Sequence, residues 1–254
     1  MKAWLRNLLL CVFLLVFVFS GVMLSIQLYR TQTAKKGFEE LSQIREQVLV
    51  TVPAEEQETE PSQPQILPEL AALYEQNSDL AGWLSIPAVG VDYPVMHAPD
   101  RKDYYLHRNF RQESSNHGSL YIWEEADLQT PSDNVTVFGH HMKDGTMFGD
   151  LKKYRHKDFW EKNQTFSMTS LYERRTYRIF SVLVTADTPG QSLEYHSFTG
   201  GAKEEFENMV RSFKAYALFD TGITPEYGDE LVCLSTCDYS VTNGRLVVVA
   251  VREK

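Results

Sequence analysis

The stretch from Asn7 to Tyr29, NLLLCVFLLVFVFSGVMLSIQLY, runs for 23 residues without a charge. Roughly 20 apolar residues in a helix cross the hydrocarbon core of a bilayer, so this segment is long enough to span one. Lys2 and Arg6 precede it and Arg30 closes it. A cleaved signal peptide has an apolar region of roughly 7–15 residues followed by small residues at the cleavage point. Here the apolar run is longer, Leu28-Tyr29-Arg30 is a poor cleavage point, and Ser20-Gly21 is a weak one. The sequence therefore predicts an uncleaved anchor over residues 7–29 with a short tail, 1–6, on its far side. The flanks are balanced: Lys2, Arg6 and the terminal amine stand against Arg30, Lys35 and Lys36. A rule that compares positive flanks does not by itself orient such a helix.

Everything after the anchor is acidic. Residues 1–36 hold five basic side chains and no acid, whereas the other 218 residues set 20 basic side chains against 34 acidic ones. A net charge of −9 argues against nucleic-acid binding through a basic surface. Hydrophobic residues make up 43% of the 254 and charged residues 23%, which is enough to build a core. Three cysteines are too few for a disulfide scaffold.

Residues 30–68 read as a spacer. Phe38, Leu41, Ile44 and Val48 recur at helical spacing and predict a short juxtamembrane helix. TVPAEEQETEPSQPQILP follows, with four prolines, four glutamates and no basic residue, a composition for an extended, solvated tether.

A folded body begins near residue 69. LPELAALYEQN places Leu67, Leu70, Leu73 and Tyr74 on one helical face. Seven β-rich runs come next, at 83–86, 91–95, 119–123, 134–138, 176–185, 230–236 and 245–252, separated by turn residues such as Pro87, Gly90, Pro189-Gly190 and Asn243-Gly244. Short strands punctuated in this way predict a mainly β barrel or sandwich. One helix interrupts them: Phe206, Met209, Val210 and Phe213 form an apolar stripe within 202–216.

The last 25 residues carry the chemistry. Cys237 closes one strand and Arg245 opens the next, so a hairpin return sets them side by side. A thiol beside a cation is the arrangement that makes a nucleophile, and Arg keeps its charge at every ordinary pH. Cys233 lies four residues earlier. On a regular strand it is about 13 Å from Cys237, too far for a disulfide, whose Cα atoms sit within about 7 Å. Among Leu231, Val232 and Leu234 it reads as a core thiol. Cys11 belongs to the anchor. Asp238, beside the nucleophile, either tunes the site or is solvated.

Seven histidines compete for the role of proton-transfer partner. His140 and His141 follow the run NVTVF through Gly139, which permits close approach at a strand end. Adjacent strand residues point to opposite faces, so at most one of the two serves the site. No CxxC or HExxH spacing supports a metal site, and no phosphate-binding glycine loop or GxSxG is present.

Taken together, these residues resemble the sortase family of cysteine transpeptidases. The Leu234-Ser235-Thr236-Cys237 run matches the family's signature at a strand end, Arg245 its following arginine, and Gly139-His140 its upstream histidine. The blocks GWLSIPAVGVDYPVMH, DYYLHRNF, HGSLYIW and FGHHMKDGTMFGDL, in that order, and the helix at 202–216 are similar to class B. The resemblance covers residues 69–252. It implies an eight-stranded β-barrel with a few peripheral helices, preceded by the membrane helix.

The resemblance also implies an activity. Cys237 attacks the carbonyl after the Thr of a C-terminal sorting motif, forming a thioacyl enzyme. His140 protonates the leaving amine and then deprotonates the incoming one. Arg245 steadies the oxyanion or the substrate backbone. Leu106, Ser235 and Thr236 match substrate-contacting positions, while strand packing accounts equally well for Ser235 and Thr236. Expected partners are surface proteins bearing the motif and an amine from peptidoglycan or its lipid-linked precursor. No metal or other cofactor is implied. The tail is expected in the cytoplasm and residues 30–254 outside. A pilus-assembling relative using a pilin Lys amine, a hydrolytic cysteine protease and a non-catalytic binding module are the alternatives.

Overall fold

In RLVVVAVR the run 246–251 is apolar at every position, which suits a strand covered on both faces. The structure, a computed structural model, describes residues 3–51, 65–128, 133–186, 193–196 and 201–254. In it this segment is β8 (Gly244–Arg252), paired antiparallel with both β7 (Leu231–Asp238) and β6 (Arg174–Ala186). The other strands are β1 (Leu80–Ile86), β2 (Val91–Met96), β3 (Leu120–Ile122), β4 (Asn134–Phe138) and β5 (Thr165–Ser170). They close into a barrel in the order β1-β2-β3-β4-β7-β8-β6-β5, and β5 returns to β1. The expected eight-stranded barrel is thus present.

Two pairings are parallel, β2 with β3 and β4 with β7; the rest are antiparallel. Cys233, Val247, Val249 and Leu183 share the outer face of β7, β8 and β6. They pack there with Phe206, Val210 and Phe213 of α4 (Lys203–Ala215), the helix predicted at 202–216. Leu246, Val248 and Ala250 point to the opposite, interior side and are fully buried. This double covering accounts for the unbroken apolar pattern.

The chain divides into two compact units, Met1–Glu40 and Leu41–Lys254. The long helix α1 (Ala3–Thr51) carries the apolar stretch and also the segment predicted as a separate juxtamembrane helix. In the first unit the apolar side chains from Leu8 to Tyr29 are exposed, as for a helix whose solvent is lipid. This helix is a candidate membrane span. In the second unit Leu41 packs with Leu70 and Leu73 of α2 (Pro68–Gln76) and with Leu80 and Trp83 of β1. Arg45 lies 5.2 Å over the Trp83 ring, and Asp92 accepts hydrogen bonds from Trp83 Nε1 at 2.8 Å and Ser42 Oγ at 2.6 Å. The segment 52–64, the middle of the expected tether, lies outside the described residues.

Strand β5 was not among the seven β-rich runs of the sequence. Four of its six residues, TFSMTS, are polar, and only Phe166 and Thr169 are buried. Its alternation is short, two apolar residues in six, and its place comes from pairing with β1 on one side and β6 on the other.

Candidate active site

Two strand ends build the site. In the β7–β8 hairpin Cys237 stands directly opposite Arg245, and Arg245 Nη1 approaches Cys237 Sγ to 3.6 Å. The next residue across, on β6, is Thr185. Both Cys237 and Arg245 are half-buried.

The third residue arrives through the parallel pairing of β4 with β7. That register matches Asn134 with Leu231, Thr136 with Cys233 and Phe138 with Ser235. Gly139 extends it by donating its N–H to the Ser235 carbonyl at 3.1 Å. One further step along the same register sets His140 level with Cys237. A Cβ on Gly139 would strike Leu120 Cδ2 and Phe148 Cδ2 (2.7 Å), so any larger residue at this close approach has to displace both buried side chains. Thr236 Oγ1 donates to the Gly139 carbonyl at 2.7 Å and fastens the two strand ends together.

His140 is oriented by a backbone acceptor. Its Nε2 lies 2.7 Å from the Leu106 carbonyl, in the 3-10 turn Tyr104–His107. A carbonyl only accepts, so Nε2 carries a proton and Nδ1 is left as the basic nitrogen of the neutral ring. Gly118, with φ of +59°, presses against the Leu106 carbonyl where a side chain would collide. Burial holds the imidazole below the ordinary histidine range. The Leu106 hydrogen bond opposes that shift, while His107 and His117 add to it. The His107 ring lies 5.8 Å from that of His140. The neutral ring is therefore favoured at neutral pH.

Other positions expected from the sequence fall as follows. Leu106 reaches the site through its carbonyl, and its partly buried side chain packs against the core cluster that includes Tyr105 and Phe110. Ser235 is fully buried, its hydroxyl 2.7 Å from Tyr195 Oη. Thr236 is also buried. Cys233 is fully buried beneath α4, donates to Asn134 Oδ1 at 3.3 Å, and has its thiol pushed far up by burial. Cys233 and Cys237 are both free thiols, as their strand spacing requires.

Asp238 follows Cys237 on β7, so it points to the other face, and it is buried rather than solvated. It accepts from Arg155 Nη1 at 2.7 Å and from the Ser240 N–H at 2.8 Å. Burial works against its charge, yet the Ser240 and Arg155 hydrogen bonds outweigh it and hold the carboxyl below its ordinary value. It anchors the β7–β8 turn. Among the described residues no cluster of three His, Cys, Asp or Glu side chains is placed to hold a metal ion.

Three histidines beyond His140 approach the site; the sequence singles out His141, as the second of the pair, but not His107 or His117. His107 and His117 act on His140 through their charge. His141 Nδ1 lies 2.8 Å from the Cys237 main-chain carbonyl. The adjacent His-His pair was the available signal.

A family model described as a sortase domain matches residues 84–253. The chain belongs to the sortase family. It is 30% identical over 250 residues to Sortase B of Listeria monocytogenes, an alignment covering 97% of this chain and 96% of the relative. The crystal structure of sortase B from B. anthracis in complex with AAEK2 is 30% identical with a TM-score of 0.74, covering 87% of this chain and 95% of that one. The Staphylococcus aureus sortase B–substrate complex shares the fold, with a TM-score of 0.77 at 24% identity over 89% of this chain and 99% of that one. Within the sortases, the likeness is to class B, as the sequence blocks led one to expect.

Proposed function

We propose that Cys237 is the nucleophile of a membrane-anchored transpeptidase that cuts a C-terminal sorting motif after its Thr. The observation that carries this reading is the Cys237–Arg245 pair, 3.6 Å apart at the end of the register that brings His140 level. The Cys237 thiolate attacks the Thr carbonyl and forms a thioacyl enzyme. His140 first takes the Cys237 thiol proton on Nδ1, the nitrogen not engaged by Leu106, and then delivers that proton to the leaving amine. The same nitrogen then takes a proton from the incoming amine, and the product is an amide rather than an acid. Arg245 donates to the developing oxyanion or to the substrate backbone, a fixed charge that needs no reorganisation.

The acceptor in this reading is an amine of cell-wall peptidoglycan or its lipid-linked precursor. The helix over 7–29 anchors the enzyme, with residues 1–6 in the cytoplasm and the catalytic body, 69–254, outside. Leu106, Ser235 and Thr236 border the substrate site, the last two by shaping the strand beneath it. Class B likeness points to a motif of the Asn-Pro-x-Thr type.

The test uses the full chain in detergent with a panel of fluorogenic sorting pentapeptides, with and without a cross-bridge amine. Cleavage lost in Cys237→Ala, with an amine-ligated product from wild type, is the expected result. Cleavage that survives in Cys237→Ala contradicts the thiol mechanism, and free acid as the sole product contradicts the transpeptidase.

A further inference from the structure

His141 is the second histidine of the pair, and the proposed chemistry does not use it. Its Nδ1 lies 2.8 Å from the main-chain carbonyl of Cys237. Because that carbonyl can only accept, Nδ1 is protonated and donates. Both ring nitrogens of a charged histidine are donors, so this bond survives whether His141 is neutral or protonated. The ring is half-buried and packs against Tyr239, with centroids 5.2 Å apart.

The backbone around His141 is closed on itself. His141 forms an isolated bridge with Met147, and the Phe148 N–H donates to the His140 carbonyl at 3.0 Å. Met147 and Phe148 are fully buried. Asp144 closes the turn by accepting from the Thr146 N–H at 3.1 Å and the Thr146 hydroxyl at 2.6 Å. His140 and His141 therefore sit on a stiff support. One peptide unit carries the ring that faces the reaction and the ring that holds the nucleophile's backbone.

We infer that His141 is a positioning residue, which fixes the Cys237 backbone relative to His140 by donating from Nδ1 to the Cys237 carbonyl. The inference deepens the proposed function and rests on its assignment of Cys237 and His140. At the other strand end the link is doubled by Thr236, whose hydroxyl binds the Gly139 carbonyl at 2.7 Å. Each strand end thus donates one side-chain hydrogen bond to, and receives one from, the other. Small errors in the approach of nucleophile and proton carrier are costly: a misplacement of about 1 Å can lower a rate about 100-fold.

The experiment compares His141→Ala and His141→Asn in the full chain in detergent, using a fluorogenic Asn-Pro-x-Thr peptide. Asn places an amide donor near the position of Nδ1, whereas Ala removes it. The expected result is a fall in kcat of tenfold or more in His141→Ala, with KM and the thermal midpoint close to wild type. Recovery of most of that loss in His141→Asn is also expected. Unchanged kcat in His141→Ala overturns the inference. So does an equal loss in both variants, since the donor would then not be what matters. Cys237→Ala runs alongside: if it retains cleavage, the underlying site assignment has failed, a result distinct from failure of the His141 variants alone.

Discussion

Four residues apart on one face of β7, Cys233 and Cys237 meet different surroundings. Cys233 lies under α4, fully buried among Phe206, Phe213, Val247 and Val249, and its thiol is pushed far up by burial. Cys237 lies past the reach of that cover, half-buried, with the Arg245 guanidinium 3.6 Å from its sulfur. The cross-strand neighbour differs in the same sense, Val249 for Cys233 and Arg245 for Cys237. What lies on top of the strand therefore divides a packed thiol from a half-buried one beside a cation; strand, face and residue type are common to both.

The largest expected effect contrasts the two directly. Cys237→Ala removes the proposed nucleophile and is expected to abolish peptide cleavage with little change in thermal midpoint. Cys233→Ala is expected to leave kcat/KM within twofold and to cost about 1 kcal/mol of stability, an ordinary core truncation. Reversal of this pattern in cleavage assays and thermal melts breaks the comparison.

Next comes removal of the cover. Phe213 is fully buried and edge-on to Phe180, with ring centroids 6.0 Å apart. Phe213→Ala is expected to cost about 3–5 kcal/mol by leaving a cavity. It should also admit alkylating agents to Cys233. Denaturant unfolding measures the first effect and peptide mapping after alkylation the second.

A smaller effect concerns His140. Burial and the neighbouring His107 and His117 keep its imidazole below the ordinary histidine range. Titration followed by NMR should show it losing its proton at lower pH than an exposed histidine. His107→Asn removes one of the opposing charges and should move the midpoint back up. A midpoint above the ordinary value of about 6.5 contradicts the description of the site.

Smallest is the turn that follows Cys237. The folded Asp238 carboxyl is held below its ordinary value of about 3.9, so its ion pair with Arg155 stabilises the protein above that value. The contribution is lost as pH falls through the lowered value. Asp238→Asn should thus lower the thermal midpoint near neutral pH, with the difference from wild type closing below about pH 4. A constant difference across that range excludes ionisation as its source.

Much of this was legible in the sequence, and unevenly. Strands such as NVTVF and RLVVVAVR announce themselves because they are covered on one or both faces and rich in β-branched residues. TFSMTS does not, since only two of its side chains are buried and its place comes from its neighbours. The Cys237–Arg245 contact was legible because a hairpin is local. The level of His140 was not, because it depends on a parallel pairing between strands nearly 100 residues apart, which spacing along the chain does not reveal. The roles of Leu106 and His141 were hidden for a different reason: each acts through a main-chain carbonyl, which residue type does not report.

The most direct test labels both thiols of β7 in one native protein. The full chain in detergent is treated with iodoacetamide, and modification of each cysteine is followed by peptide mapping alongside residual cleavage activity. Cys237 is expected to be modified, with activity disappearing in step. Cys233 should stay unmodified until the protein is unfolded. Modification of Cys233 at a comparable rate, or full activity with Cys237 blocked, would contradict this expectation.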